Sequence, residues 1–243
     1  MNMGESAVTL TTEQLRINPN HQIQVIKIGH QRTPVLIIDN YFDSLTSVLS
    51  LAQHTAHFTP DEATYYPGVR SKLPKKYVLA SLKPLMKGLY NIFNIAPELA
   101  PAPVDNYFSL VTKQPNQLLP QQTLPHFDTN DPNSLAVVHY LNATEHGGTG
   151  FYRHTRSGIE RVTKSNEQAY GTEVTRILAS SDTRQYCTTA HQAYTCIHEI
   201  PYKQNRLLLY PGNTLHSALI MDKDINIDQI TGHLTANMFI KFC

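Results

Sequence analysis

Residues 205–216 read NRLLLYPGNTLH, and this stretch is the clearest indication of how the second half of the chain folds. The apolar run 206–210 has the length and composition of a buried strand. Pro211 and Gly212 then mark a turn, and His216 enters the next apolar run, 215–220. This order predicts two strands joined by a short turn, with the His216 side chain directed into the interior of a β structure.

Similar short runs of β-branched and aromatic residues lie on both sides of this stretch, separated by turn residues. Further strands are predicted over 107–112, 135–141, 150–154 and 234–242. Several short strands at this spacing favour a sandwich or barrel, and a jelly roll is a common way to protect sheet edges. The predicted fold class is therefore mainly β with flanking helices, around a double-stranded β-helix (jelly-roll) core.

The length of 243 residues suits one domain with a large core. We predict a single domain over 1–243, in which an αβ elaboration at 1–104 packs on a β core at 105–243. Residues 157–192 are rich in Ser, Thr, Arg and Gln and are predicted to form a polar insertion between strands. Helical spacing is visible within it at 165–179.

The N-terminal part of the chain mixes strand and helix patterns. Strand-like runs occupy 23–28 and 35–38, and helical apolar spacing covers 45–54 and 83–93. Between them, residues 65–70 read YYPGVR, and their Pro-Gly pair predicts a loop. This loop is either a substrate-binding lid over the mouth of the barrel or a simple surface turn.

Charge and cysteine usage exclude several classes of protein. Twenty basic and 19 acidic residues leave a formal net charge of +1, which gives no electrostatic reason for a nucleic-acid or membrane partner. No run of 18 apolar residues and no targeting pattern at the start occur in the sequence. Cys187, Cys196 and Cys243 form no Cys-X-X-Cys pair, which suits a reducing compartment. The chain is predicted to be cytoplasmic.

A candidate metal site is formed by three residues. In the segment 124–128, LPHFD, His126 and Asp128 are two apart, so in an extended strand both side chains leave the same face. Because the chain has 12 histidines, such a pair can arise by chance, and His216 is the predicted third ligand. Two His and one carboxylate leave half of an octahedral coordination sphere open, as in non-haem iron(II) oxygenases. The alternative is that all three residues are structural.

Three segments resemble the 2-oxoglutarate and iron(II)-dependent oxygenases, and more narrowly bacterial members of that superfamily. Residues 125–128, PHFD, look like the family's His-X-Asp at the end of the second barrel strand. Residues 138–142 and 147–151, VHYLN and GGTGF, are similar to its strand, hairpin and Gly-Gly segment. Residues 207–216 resemble its apolar strand, turn and distal His. The resemblance covers about 105–242, in the family's order.

The resemblance implies a dioxygenase that uses Fe(II), 2-oxoglutarate and O2, with His126, Asp128 and His216 as metal ligands and catalytic residues. Such enzymes couple the oxidative decarboxylation of 2-oxoglutarate to succinate and CO2 with oxidation of a substrate. The carboxylate of Asp128 favours hydroxylation, because related halogenases have a small residue at that position. A small molecule or an amino-acid-derived group is the expected substrate. The sequence gives no indication of its identity or of an oligomeric state.

The predicted co-substrate pocket departs from the family at one position. Family members hold the far carboxylate of 2-oxoglutarate with an Arg or Lys on the last strand, followed two residues later by Ser or Thr. Here His233 and Thr235 stand at those positions and share a face. Tyr140 and Asn237 are predicted to line the same pocket, each with a structural alternative. A histidine is a weaker and pH-sensitive anchor for an anion.

Three interpretations of this departure stay open. A cation comes from elsewhere in the chain, with Arg153, Arg206 and Lys241 as candidates. The pocket takes a different 2-oxo acid. Or the site binds metal without oxidising anything, which makes the protein a non-catalytic metal- or ligand-binding jelly roll, since a fold does not fix a function. A metal-dependent dioxygenase that does not use 2-oxoglutarate is a further alternative.

Overall fold

Two antiparallel β-sheets dominate the computed structural model, which describes residues 10–61, 64–180 and 184–243. Residues 1–9, 62 and 63 of the predicted elaboration and 181–183 of the predicted insertion lie outside the described part. The strands are β1 Gln22–Ile28, β2 Thr33–Asp39, β3 Thr59–Pro60, β4 Gly68–Lys72, β5 Pro101–Val111, β6 Ser134–Tyr140, β7 Thr149–His154, β8 Ala190–His191, β9 Tyr194–Ile200, β10 Leu207–Pro211, β11 His216–Ala218 and β12 Leu234–Phe242. The helices are α1 Thr46–His54, α2 Lys75–Leu82, α3 Met86–Phe93 and α4 Glu167–Ser180.

The larger sheet has eight strands in the order β1-β2-β10-β6-β12-β5-β4-β3, and the smaller has four in the order β11-β7-β9-β8. The strands at 22–72 thus extend both edges of the larger sheet. An isolated bridge between His126 and His216 adds the segment around His126 beside β11, at the edge of the smaller sheet. No helix within the described ranges has both the length and the apolarity to cross a membrane.

The two faces of the larger sheet pack against different layers, as the alternation along a strand requires. On β6, Leu135 and Val137 join a core that includes Val48 of α1 and Leu89 of α3. Ala136, between them, belongs to a second cluster that contains Phe151 of the smaller sheet. The larger sheet therefore carries helices on one face and the smaller sheet on the other.

Most predicted elements are present, and the differences have local causes. The helix expected at 83–93 begins as a 3-10 turn, Lys83–Leu85, where Pro84 lacks the amide hydrogen that would continue α2, and α3 follows. Helix α2 and strands β3, β8 and β9 were not predicted from the sequence. The predicted loop 65–70 is corrected at its end, since Gly68–Lys72 forms β4 and pairs with β5.

Candidate metal centre and its cavity

Backbone pairing brings the three predicted ligands to one place. His126 and His216 face each other in an antiparallel bridge, with N···O distances of 2.9 and 2.8 Å between each amide and the other's carbonyl. Two residues further on, the Asp128 amide donates to the Gly212 carbonyl at 2.8 Å. The Pro-Gly turn before β11 is thus held against the His-X-Asp segment. This pairing fixes the spacing of the three side chains.

The ligand atoms of His126, Asp128 and His216 all lie within 4.8 Å of one another. Each His Nε2 is 3.8 Å from an oxygen of Asp128, which is too long for a hydrogen bond. His216 donates its Nδ1 proton to the Thr214 carbonyl at 2.9 Å, so its Nε2 carries a free lone pair. Two imidazole nitrogens and a carboxylate that converge without bonding to each other fit a divalent cation such as Fe(II).

Burial sets the protonation of these groups. It lowers the pKa of His216 to about 4. Desolvation by the cavity wall and then the neighbouring His216 also lower the pKa of His126. Burial raises the pKa of Asp128 to about 6. At neutral pH the site therefore presents two neutral imidazoles and an ionised carboxylate, the forms that bind a metal. The His126 side chain, 56% exposed, marks the open side of the site.

The three ligands line a cavity of about 1190 Å³ between the sheets. The alternate residues His233, Thr235 and Asn237 along β12 and its start face the same cavity, as their parity predicted. Tyr140 of β6 also lines it, buried, with its hydroxyl 2.7 Å from Thr149 Oγ1, and burial raises its pKa to about 12. Four of the five predicted co-substrate residues thus line the cavity that contains the three candidate metal ligands.

Arg153, the fifth, is not brought there. It forms an ion pair with Glu160 at 2.7 Å, and this carboxylate also accepts from the amides of His30 and Gln31. Arg153 is absent from the described lining of the cavity because it serves this separate buried network.

The other two predicted cations do not anchor an anion deep in the cavity either. Arg206 pairs with Asp39 at 2.6 Å on the larger sheet and does not line the cavity. Lys241 does line it, but its side chain is 51% exposed and lies 3.6 Å from Asp131.

One cation of the predicted 65–70 loop lines the cavity but was not among the predicted anion-binding residues. Arg70, in β4, is 13% exposed and forms an ion pair with Asp61 at 2.8 Å. Its guanidinium carbon lies 4.3 Å from the ring centroid of Tyr66 and 5.2 Å from that of Tyr107. The only sequence signal was the alternation of Val69 with its polar neighbours, which is too short to identify a strand beside a Pro-Gly pair.

His233 belongs to a second polar cluster next to the cavity. Its Nε2 donates to the Gly147 carbonyl at 2.9 Å, and burial lowers its pKa, so the ring is neutral. The Gly147 amide in turn donates to Asp224 at 2.9 Å, and His146 Nδ1 lies 2.8 Å from the same carboxylate. Burial alone would raise the pKa of Asp224, but these bonds and one from the Met221 amide hold it below 3.8.

The fold and the site define a mainly β protein with a candidate His-Asp-His metal centre. Within that class, the chain belongs to the family described as "Family of unknown function (DUF6445)", whose model matches residues 19–240. A comparison with curated proteins finds no match.

Solved structures match this chain over most of its length. HygX from Streptomyces hygroscopicus, solved with nickel and 2-oxoglutarate bound, has a TM-score of 0.51 at 14% sequence identity, over 96% of this chain and 87% of HygX. AviO1 from Streptomyces viridochromogenes Tue57 has a TM-score of 0.42 at 9% identity, over 97% of this chain and 93% of AviO1. At these identities, the likeness to HygX speaks to the fold alone.

Proposed function

We propose that this protein is an Fe(II)- and 2-oxoglutarate-dependent oxygenase, and more narrowly a hydroxylase of a small-molecule or amino-acid-derived substrate. The observation that carries the proposal is the convergence of His126, Asp128 and His216 on one point of the cavity wall, with ligand atoms within 4.8 Å and no hydrogen bonds among them. Three converging donors leave three positions of an octahedral ion open for a bidentate co-substrate and O2.

The strand order supports a double-stranded β-helix as the core of this enzyme. Along the chain, β5 lies in the larger sheet, the His126 segment beside the smaller, and β6 in the larger again. β7 and β9 then stay in the smaller sheet, and β10, β11 and β12 alternate between the two. This alternation supports a jelly roll, in which strands from both sheets surround one interior.

The structure of HygX with nickel and 2-oxoglutarate supports the co-substrate assignment, because the two proteins share a fold over most of both chains. In this chain, Tyr140 and Thr235 present hydroxyl groups to the cavity, and Asn237 an amide. These neutral groups suit hydrogen bonds to carboxylate oxygens of a bound 2-oxo acid. The three free cysteines also fit the cytoplasmic location predicted from the sequence.

Bound Fe(II) with 2-oxoglutarate and O2 would supply the oxidation of the substrate. The chain's own groups orient that centre. The Thr214 carbonyl fixes the tautomer of His216, and the bridge between His126 and His216 holds the backbones of the two ligands side by side. Asp128 supplies the negative charge that offsets part of the metal's charge.

The test is an anaerobic titration of the metal-free protein with Fe(II) and then 2-oxoglutarate. The proposal predicts the visible charge-transfer band of an iron-chelated 2-oxo acid in the wild type. It predicts loss of the band in His126→Ala and its retention in His198→Ala, a matched control at an exposed His of β9. No metal binding in the wild type would reject the site. Metal binding without a band would reject 2-oxoglutarate as the co-substrate.

One observation favours a second candidate, a metal-dependent dioxygenase that does not use a 2-oxo acid. His233 stands where the resembled family has a cation, and it is neutral and already bonded to the Gly147 carbonyl. Consumption of O2 by the Fe(II)-loaded protein with candidate substrates distinguishes the two. The second candidate predicts uptake that is independent of added 2-oxoglutarate and produces no succinate.

A further inference from the structure

A polar row crosses the larger sheet beneath the cavity. Arg70 of β4 pairs with Ser109 of β5, Ser109 pairs with Thr235 of β12, and Thr235 pairs with Tyr140 of β6. Residues paired directly across strands project from the same face of a sheet. One guanidinium and three hydroxyl groups therefore share this face, and Arg70, Thr235 and Tyr140 all line the cavity.

Arg70 is held rigidly at one end of the row. Its Nη1 donates to Asp61 at 2.8 Å and to Thr64 at 3.2 Å. The rings of Tyr66 and Tyr107 lie against the guanidinium, at 4.3 and 5.2 Å from ring centroid to Cζ. Such contacts restrict the plane of the fork and so reduce the entropy lost when it binds an anion.

Arg70 has more hydrogen-bond donors than it has acceptors among the described residues. A guanidinium has five N–H donors, and the bonds that Arg70 makes to described residues all use Nη1. Its Nε is buried and has no hydrogen-bond partner among those residues. A buried donor without an acceptor is costly, so an acceptor supplied by a ligand would be favoured here.

Arg70 also differs from the other cations of the described cavity lining. Lys164 is exposed, and Lys241 is half exposed and close to Asp131. Exposed ammonium groups bind anions weakly, whereas a buried, oriented guanidinium matches a carboxylate with two parallel bonds. Arg70 lines the same cavity as His126, Asp128 and His216.

We propose that Arg70 is the carboxylate-binding residue of this cavity, in place of a cation on the last strand. The proposal rests on the proposed function only for the identity of the acid that Arg70 binds. One source is the far carboxylate of the 2-oxo acid. The other is the carboxylate of the primary substrate, whose apolar body would lie against Tyr66 and Tyr107. Both sources use the same chemistry, and two probe acids separate them.

Calorimetric titration of the Mn(II)-loaded protein measures this binding whether or not an iron charge-transfer band forms. The probes are 2-oxoglutarate and 3-phenylpropanoate. The variants are Arg70→Gln, the double variant Arg70→Gln with Asp61→Asn, and Lys164→Gln as the matched control for loss of one positive charge. The double variant places a neutral, hydrogen-bonding Gln and Asn at these two positions, so it retains the fold if loss of the ion pair unfolds the single variant.

The expected result is that the wild type binds at least one acid, and that the double variant binds it about tenfold to a hundredfold more weakly. Lys164→Gln should stay within about twofold of the wild type. Loss for 2-oxoglutarate identifies the co-substrate as the source, and loss for 3-phenylpropanoate identifies the substrate. Equal affinities of wild type and double variant for both acids, or no binding of either acid to the wild type, would overturn the proposal. Mn(II) affinity unchanged across the set shows that the metal site is intact.

Discussion

Two groupings of His and Asp lie on the described part of the chain near the cavity, and they are bonded differently. In the cluster beside the cavity, His146 Nδ1 is 2.8 Å from an oxygen of Asp224. At the candidate metal centre, the nearest nitrogens of His126 and His216 are each 3.8 Å from Asp128. The distance of 2.8 Å corresponds to a hydrogen bond, whereas 3.8 Å is too long for one.

The surroundings of the two carboxylates differ in the same sense. Asp224 accepts bonds from His146 and from the Gly147 and Met221 amides, and its pKa is lowered. Burial raises the pKa of Asp128 to about 6. The residue types alone therefore do not identify a metal site. A hydrogen-bonded His–Asp pair stabilises the fold. Ligand atoms that converge without hydrogen bonds to one another are suited to binding an ion.

The largest expected effect is the loss of stability when the hydrogen-bonded cluster around Asp224 is disrupted. Asp224→Asn should lower the free energy of unfolding by about 3 kcal/mol. The NH2 group of the new side chain would face N–H groups that donate hydrogen bonds to the carboxylate in the wild type. Mn(II) affinity of the folded variant should stay within about threefold of the wild type. Urea denaturation and calorimetry measure the two quantities. Asp222→Asn, at an exposed neighbour, is the control. A stable variant with lost metal affinity would contradict the comparison.

The pH dependence of this effect has a definite sign. The pKa of Asp224 is lowered in the folded protein from 3.8, so its contribution to stability is complete above that value. The contribution is lost as the pH falls through the lower folded-state pKa. The difference in unfolding free energy between wild type and Asp224→Asn should thus be constant from about pH 5 to 8 and shrink below about pH 4. Urea denaturation across this range measures it, and a difference that grows on acidification would be inconsistent.

The next prediction concerns His126, a proposed ligand of the metal centre. His126→Ala should weaken Mn(II) binding by at least about 100-fold, since it removes one of three ligands. The metal-free variant should unfold within about 0.5 kcal/mol of the wild type, because the side chain is 56% exposed. Calorimetry and urea denaturation provide the two readouts, with His198→Ala as the control. A strongly destabilised variant would mean that His126 is structural.

A smaller effect concerns the carboxylate of the metal centre. Asp128→Asn should raise the unfolding free energy of the metal-free protein at pH 7 by about 1–2 kcal/mol while abolishing metal binding. Since burial raises the pKa of Asp128 to about 6, ionisation destabilises the metal-free fold as the pH rises from 3.8 to about 6. The gain should disappear below about pH 4. Destabilisation at pH 7 would show that Asp128 has a structural partner.

The smallest effect assigns His233 to one of the two groupings. His233→Gln keeps a donor within reach of the Gly147 carbonyl, so stability should fall by only about 1 kcal/mol. Affinity for 2-oxoglutarate should change by less than about threefold if the ring is part of the satisfied cluster. Thermal unfolding and calorimetry test both statements. A tenfold or greater loss of affinity would instead make His233 an anchor of the co-substrate.

The sequence was sufficient for the part of the site that depends on local geometry. His126 and Asp128 share a face because strand side chains alternate, and the Pro-Gly turn ahead of His216 returns the chain beside them. The same alternation correctly placed His233, Thr235 and Asn237 on the cavity side of β12. These predictions needed only the parity and order of strands.

The rest depends on contacts between residues distant in sequence. The bond between His146 and Asp224 spans 78 residues, and no local pattern indicates it. Arg70 reaches the cavity because β4 pairs with β5, and a five-residue strand after Pro67-Gly68 looked like a turn. Arg153 does not line the cavity because its side chain pairs with Glu160, which lies beyond the end of the strand. No local pattern in the sequence indicated this ion pair.

The most direct test of the metal assignment is anomalous scattering from crystals grown with Mn(II). We expect a single strong peak at about 2.0–2.3 Å from His126 Nε2, His216 Nε2 and one oxygen of Asp128. The remaining coordination positions should face the cavity. A Mn(II) peak at the His146–Asp224 cluster, or no peak between the three proposed ligands, would contradict it.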